Sequence, residues 1–187
     1  ISQPIKGTAR RSADYQEDEN IKKELFENEK ERSENVMIVD LVRNDLSKIA
    51  QKNSVTVDEL FGVYTFKTVH QLISSISAIL KRDVTFSEIL KALFPMGSMT
   101  GAPKIKAMEL IDKYESFKRG LFSGSVGYIE PNGNFDFNVV IRSILYDQST
   151  GMLSCPVGGA ITIQSDPEQE YEECLLKVKA LVDVLHE

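Results

Sequence analysis

Two pairs of carboxylates, Glu31 with Glu34 and Glu170 with Glu173, each fall three residues apart in segments of helical patterning. Residues at that spacing share one helical face, so each pair can aim its oxygens at a single point. Like charges held so close repel unless water or a cation lies between them. Mg2+ suits such a place: it is hard, prefers oxygen, and completes its shell with water and with substrate carboxylates or phosphates. The competing reading is a solvated glutamate face, the commonest setting for this residue. Glu34 directly precedes the apolar run Val36–Val39, and Lys177 extends the Glu170–Glu173 face by a further turn. Tyr171, Leu175, Val178, Val182 and Leu185 form a separate stripe expected to face a core.

Lys6 lies in the tight segment Pro4-Ile-Lys-Gly-Thr8. A lysine becomes a nucleophile where burial or neighbouring cations favour its neutral form; otherwise it is a surface residue at a turn. The glycine-punctuated stretch Gly97-Ser-Met-Thr-Gly101 before Pro103 could offer backbone N–H groups to an anion, or need glycine only for its turns. It lacks the Gly-Lys-Ser/Thr ending of a P-loop. Arg142, between apolar neighbours, is either a fork for a substrate carboxylate or a solvent-facing strand residue. Gly158-Gly159 permits close approach of a ligand or marks a bulge. His70 and His186 are the only histidines, so neither a histidine metal pair nor a histidine-based triad can be built. His186 is expected on the surface.

The elements that must position these residues read as follows. The pattern predicts one long helix from about Asp18 to Ala50, charged and solvated at first and buried later. Val55–Thr68 is β-branched and aromatic and predicts a strand. His70–Leu80 reads as a helix through Leu72, Ile73, Ile76, Ile79 and Leu80. A short helix capped by Thr85 stops at Phe94-Pro95, and another runs from Pro103 at its first position to about Tyr114. Leu121–Glu130 and Asn134–Asp147 flank the hairpin signal Asn132-Gly133, and Met152–Ile163 adds a further strand to the meander. Arg142 then sits in the strand Asn138–Leu145. Asp166 caps, and Pro167 opens, a closing helix that reaches Leu185, with Gln169 completing a capping box. Strands and helices are segregated, so the fold class is α+β with antiparallel sheet.

A net charge of −6 in 187 residues argues against a nucleic-acid surface or a polybasic membrane anchor. No apolar run is long enough for a membrane span. Cys155 and Cys174 are too few for a disulfide framework or a cysteine-rich zinc site, and two reduced thiols in a cytoplasmic protein are expected.

Six segments, in order, resemble the chorismate-binding enzyme family. They are Pro4–Thr8, Glu34–Asp45, Phe94–Lys104, Gly124–Ile129, Val140–Ser143 and Ser165–Glu173. The resemblance implies helices packed outside antiparallel sheets, part of a two-sheet sandwich. It also implies an Mg2+ site with Glu34 and Glu173 as direct ligands and Glu31 and Glu170 beside them through water. Tyr128 and Arg142 match residues gripping the enolpyruvyl carboxylate of chorismate. Ser98, Gly101, Gly158, Gly159 and Lys177 match positions lining the pocket, and His70 a histidine near the ring. Anthranilate-forming members usually read Pro-Ile-Ala-Gly-Thr where this chain has Lys6. The lysine therefore implies amination of chorismate at C4 to 4-amino-4-deoxychorismate, by attack of the Lys6 amine on ring C2 and with ammonia from a glutaminase partner. Anthranilate formation and a non-catalytic chorismate-binding fragment are the alternatives. Asn35 stands where many members have histidine, and Ala160 where glycine is frequent. The family's general acid, a glutamate in a Ser-Pro-Glu segment, lies upstream of the lysine motif. Residues 1–187, opening at Ile1 without an initiator Met, are accordingly expected to be the C-terminal part of one chorismate-binding domain, inactive alone.

Overall fold

The computed structural model describes residues 1–163 and 165–185. They form α+β structure with antiparallel sheets, divided between two compact units, Ile1–Glu115 and Ser116–Glu187. The first unit contains β1 (Ile5–Arg10), α1 (Tyr15–Glu27), α2 (Glu29–Ile49), β2 (Thr56–Thr65), β3 (Val69–Ser77), α3 (Phe86–Leu93) and α4 (Lys104–Tyr114). The second contains β4 (Ser125–Ile129), β5 (Phe135–Val139), β6 (Leu145–Asp147), β7 (Met152–Ser154) and α5 (Pro167–Leu185).

In the first unit β3 is the central strand of a sheet ordered β1-β3-β2. This corrects the helix expected over His70–Leu80. His70, Leu72, Ser74 and Ile76 are all fully buried, a period of two. The apolar residues alone also fit helical spacing; the alternation emerges only once a histidine and a serine are counted as interior. The single helix expected from Asp18 to Ala50 is also corrected, because the chain extends at Asn28 (φ −65°, ψ 109°). Asn28 caps α2 by accepting from the Glu31 N–H at 3.0 Å, as Asp14 caps α1 from the Glu17 N–H at 2.8 Å. The break frees α2 to pack at its own angle. Ile38, Val39, Val42 and Leu46 then bury against Ile76 of β3, and Ile49 against Ile89 and Ala92 of α3. Each such side chain contributes roughly 1.5–3 kcal/mol of hydrophobic stabilisation. Thr85 caps α3 as expected, within a capping box completed by Glu88, and Pro103 is the residue before α4, not its first.

In the second unit the expected meander is two separate ladders, β4 with β5 and β6 with β7. The Asn138–Leu145 strand is broken: the Ile141 N–H turns back to the Val139 carbonyl at 3.0 Å, and Arg142 adopts φ +49°. The strand expected over Met152–Ile163 stops at Ser154, so Gly158 and Gly159 lie in irregular chain, where no side chain of theirs could support a pleated surface. Asp166 caps α5 by accepting from the Gln169 N–H at 3.0 Å. Of the stripe expected to face a core, Tyr171, Leu175, Val182 and Leu185 are exposed. The partly covered face of α5 instead runs through Glu170, Cys174, Lys177, Val178 and Leu181, because Lys177 reaches the backbone at Gly158. No helix among the described residues is long and apolar enough to cross a membrane.

Candidate active site

Between the pairs Ile5↔Ile73 and Thr8↔Gln71, β1 has two residues where β3 has one. Lys6 and Gly7 thus both stand opposite Leu72 in a β-bulge, a device that re-aims side chains. The bulge needs glycine, since Gly7 has φ +90° and a Cβ there would lie 3.2 Å from Leu72 Cβ, 3.2 Å from Leu25 Cδ1 and 3.3 Å from Glu31 Oε2. Lys6, so aimed, donates from Nζ to Glu34 Oε2 at 3.0 Å, with the two side chains only 20% and 16% exposed. One bulge thereby gathers the predicted nucleophile and the two predicted carboxylates of α2. Lys6 is a partly buried strand residue, not a surface lysine at a turn.

Two buried polar networks support this arrangement, and sequence reasoning missed both. Behind Glu34, Asn35 is fully buried and accepts at Oδ1 from Ser74 Oγ at 2.6 Å. Ser74 Oγ in turn accepts from the Phe61 N–H at 3.1 Å, at a second bulge where Phe61 takes φ +61°. The Asn35 amide nitrogen is buried without a partner, so this residue is held by geometry at a cost in desolvation.

The second network centres on Asp18, read from sequence as part of a solvated charge run. Arg11 donates to both its oxygens at 2.9 Å, and the Ser12 N–H and His70 Nε2 each bond Oδ1 at 2.9 Å. The Arg11 guanidinium, aided by the Ser12 N–H and His70 and opposed by burial, holds the Asp18 carboxyl well below the usual carboxylate range. Against an anionic Asp18, His70 donates from Nε2, and Thr65 Oγ1, 3.0 Å from Nδ1, supplies the other hydrogen bond. His70, expected near the substrate ring, is thus wholly enclosed with both ring nitrogens engaged.

Ser98 and Gly101 lie on a short 3-10 turn and loop packed tightly on two sides. A Cβ on Gly97 would sit 3.0 Å from Leu41 Cβ of α2, and one on Gly101 (φ +152°) 3.1 Å from Ala107 Cβ of α4.

Four of the remaining predicted residues and Glu170 meet in the second unit. Lys177 Nζ donates to the Gly158 carbonyl at 3.0 Å and pairs with Glu173 Oε1 at 2.5 Å. Glu170 Oε2 lies 2.8 Å from where a Cβ on Gly159 would stand. Tyr128 is on β4, and Arg142 in the break after β5; both are exposed. His186 falls outside the described residues.

The four predicted carboxylates therefore stand as two pairs, one on α2 and one on α5, each with a lysine on one member. Among the described residues no group of three or more His, Cys, Asp and Glu is gathered that could hold a metal ion. Each pair taken alone is an all-oxygen donor set of the number Mg2+ ordinarily takes from protein.

The model for chorismate binding enzymes matches residues 1–183. The chain belongs to the chorismate-binding enzyme family. Among members of this family, it is 44% identical over 186 residues to the chloroplastic aminodeoxychorismate synthase of Arabidopsis thaliana, covering 100% of this chain and 20% of that protein. It is likewise 44% identical over 184 residues to aminodeoxychorismate synthase component 1 of Escherichia coli, covering 98% of this chain and 40% of that one. The chain thus spans a fifth to two fifths of the length of these relatives. Its fold superposes on anthranilate synthase component I from Streptococcus pneumoniae with a TM-score of 0.76 at 32% identity, covering 95% of this chain and 41% of that structure. The menaquinone-specific isochorismate synthase of Escherichia coli gives 0.78 at 25% identity over 96% of this chain and 40% of that structure.

Proposed function

We propose that this chain is the lysine-bearing portion of an aminodeoxychorismate synthase component I, working in the cytoplasm. In this reading chorismate is aminated at C4 with ammonia from a glutamine amidotransferase partner. The observation that carries it is the Lys6 amine, turned by the Gly7 bulge onto Glu34 at 3.0 Å. An amine so fixed has lost most of its freedom before any substrate arrives, which is where positioned nucleophiles gain their advantage. The two relatives quoted above at 44% identity are named for the same branch, and this supports the reading.

In the proposed reaction the Lys6 nitrogen forms a bond to ring C2, the ring double bonds shift, and the C4 hydroxyl departs with a proton as water. Ammonia then adds at C4, the C2–nitrogen bond breaks, and the Lys6 amine is regenerated. The proton that the Lys6 ammonium loses before attack balances the one that departs with the C4 hydroxyl as water. Mg2+, held by the Glu31 and Glu34 pair of the first unit or by the Glu170 and Glu173 pair of the second, would offset the charge of the ring carboxylate and orient the substrate. Arg142 and Tyr128 would bind the enolpyruvyl carboxylate; a substrate-lining role is proposed separately for Ser98 and Gly101 in the first unit and for Gly158, Gly159 and Lys177 in the second.

The test uses the full-length protein with chorismate, ammonia and Mg2+, its product identified by mass spectrometry. The expected product carries nitrogen at C4, and a covalent adduct maps to Lys6. An ortho-aminated product, or an adduct that survives Lys6→Ala, overturns the reading.

A further inference from the structure

Asp45 of α2 is 3% exposed, and its carboxylate lies between two lysines. Lys48, three residues along the same helix, donates to Oδ1 at 2.8 Å and is half exposed. Lys104, the first residue of α4, pairs with Oδ2, and its side chain is 12% exposed. A buried ion pair of this kind is poor evidence of stabilisation, because desolvation offsets most of the attraction; its better-attested use is to fix geometry.

Three further observations give the pair a geometric task. A lysine in the first turn opposes the helix dipole, and α4 has no acidic residue in that turn and no side-chain cap. Lys104 is therefore placed at the expense of its own helix. Furthermore α4 contains no buried residue, so little apolar contact anchors it. Finally, the Gly97–Gly101 loop is wedged between the two helices that the pair joins, with Gly97 against Leu41 of α2 and Gly101 against Ala107 of α4. Any change in the separation of Asp45 and Lys104 is transmitted directly to both walls of that loop.

We infer that Asp45 and Lys104 are positioning residues that set the Gly97–Gly101 loop for substrate, an assignment whose substrate half rests on the function proposed above. Neither touches substrate; the pair fixes the spacing of α2 and α4, and that spacing fixes Ser98 and Gly101. The role belongs to the charge and reach of Lys104 together, so arginine retains part of it and methionine none.

The experiment compares Lys104→Met and Lys104→Arg with the parent in the full-length protein, reading backbone hydrogen exchange and steady-state kinetics with chorismate. For Lys104→Met, exchange at residues 97–101 should rise by about tenfold or more while β3 is unchanged. The KM for chorismate should rise on the order of tenfold, with kcat held within about threefold. Lys104→Arg should restore most of both. Unchanged loop exchange overturns the inference, as does a rise spread evenly over residues 1–115, which would make the pair a general support. A Lys104→Met protein that fails to fold overturns it likewise. Faster loop exchange in a protein whose parent does not aminate chorismate supports the clamp and sinks the function reading, so the two failures are distinguishable.

Discussion

Gly7→Ala tests the bulge that aims Lys6. Two penalties combine. An L-residue at φ +90° is strained, by about 1–3 kcal/mol. The new methyl also meets three neighbours at 3.2–3.3 Å. Of these, Glu31 Oε2 ends a flexible side chain and can swing away. Leu72, on the central strand, is fully buried, and Leu25 is itself buried. The strain cannot be relieved by side-chain rotation alone, so β1 must lift from β3, at roughly 1–3 kcal/mol for overpacking. Together about 3–5 kcal/mol is expected. Asn53→Ala is the control in the same unit: Asn53 has φ +63° at an exposed turn and carries only the conformational part, about 1 kcal/mol. Urea unfolding followed by circular dichroism should separate the two midpoints by on the order of 1 M, for a slope near 2 kcal/mol/M. Equal midpoints would refute the claim that Leu72 and Leu25 hold the bulge rigid. Since the displaced strand carries Lys6 away from Glu34, the covalent adduct should also fall sharply at urea concentrations where the variant is still folded.

Arg11→Met should move acid denaturation to higher pH. Asp18 is held below its ordinary range in the folded state, so its contribution to stability is complete above the unfolded value of about 3.9 and is lost as pH falls below it. Removing the guanidinium narrows that window, and an unchanged acid midpoint would show that Asp18 does not depend on Arg11. Ser74→Ala leaves both the Phe61 N–H and Asn35 Oδ1 buried without this partner, and a loss of about 2–4 kcal/mol is expected in the same urea assay. Gly159→Ala places a methyl 2.8 Å from Glu170 Oε2, the mobile end of its side chain. Stability should change by only about 0.5 kcal/mol, while on the function proposed above Mg2+ affinity, measured by calorimetry in the full-length protein, should weaken; an unchanged affinity would remove Glu170 from the proposed metal site.

Capping chemistry was legible in the sequence because it is local. The Thr85 and Asp166 caps and the Asn132-Gly133 turn each act within four residues, and all three appear as expected. The failures share a different cause. His70 and Ser74 are interior only because Asp18 and Asn35, distant in sequence, satisfy them; without those partners the alternation of β3 reads as polar noise and a helix fits better. Asp18 itself looked solvated because nothing nearby in sequence marks Arg11 and His70 as its neighbours. The break at Asn28 is a cap hidden inside a run of good helix formers, visible only once α1 and α2 separate. In the second unit, alternating apolar residues over Leu121–Ile163 suggested more ladder than forms, since propensity does not specify which strand edge finds a partner. The Lys6–Glu34 pair was half legible: both residues were singled out for one active site, but as nucleophile and metal ligand and not as a direct ion pair.

The stripe Glu31, Glu34, Ile38, Leu41, Asp45 runs along α2 at spacings of three and four, and therefore along one face. At about 1.5 Å per residue, its ends lie roughly 21 Å apart. Each position on it meets a different part of the first unit: Glu31 the Gly7 backbone, Glu34 the Lys6 amine, Ile38 the core with Ile76, Leu41 the Gly97 loop, and Asp45 the start of α4. The rotation of this helix is fixed in turn by Asn35, bound to the central strand through Ser74. A single rigid element thus sets the register of the nucleophile at one end and the glycine loop at the other. That explains why a buried asparagine with an unsatisfied amide is tolerated one residue from Glu34: an apolar residue there would pack, but it would not fix the angle at which both ends of α2 meet their partners.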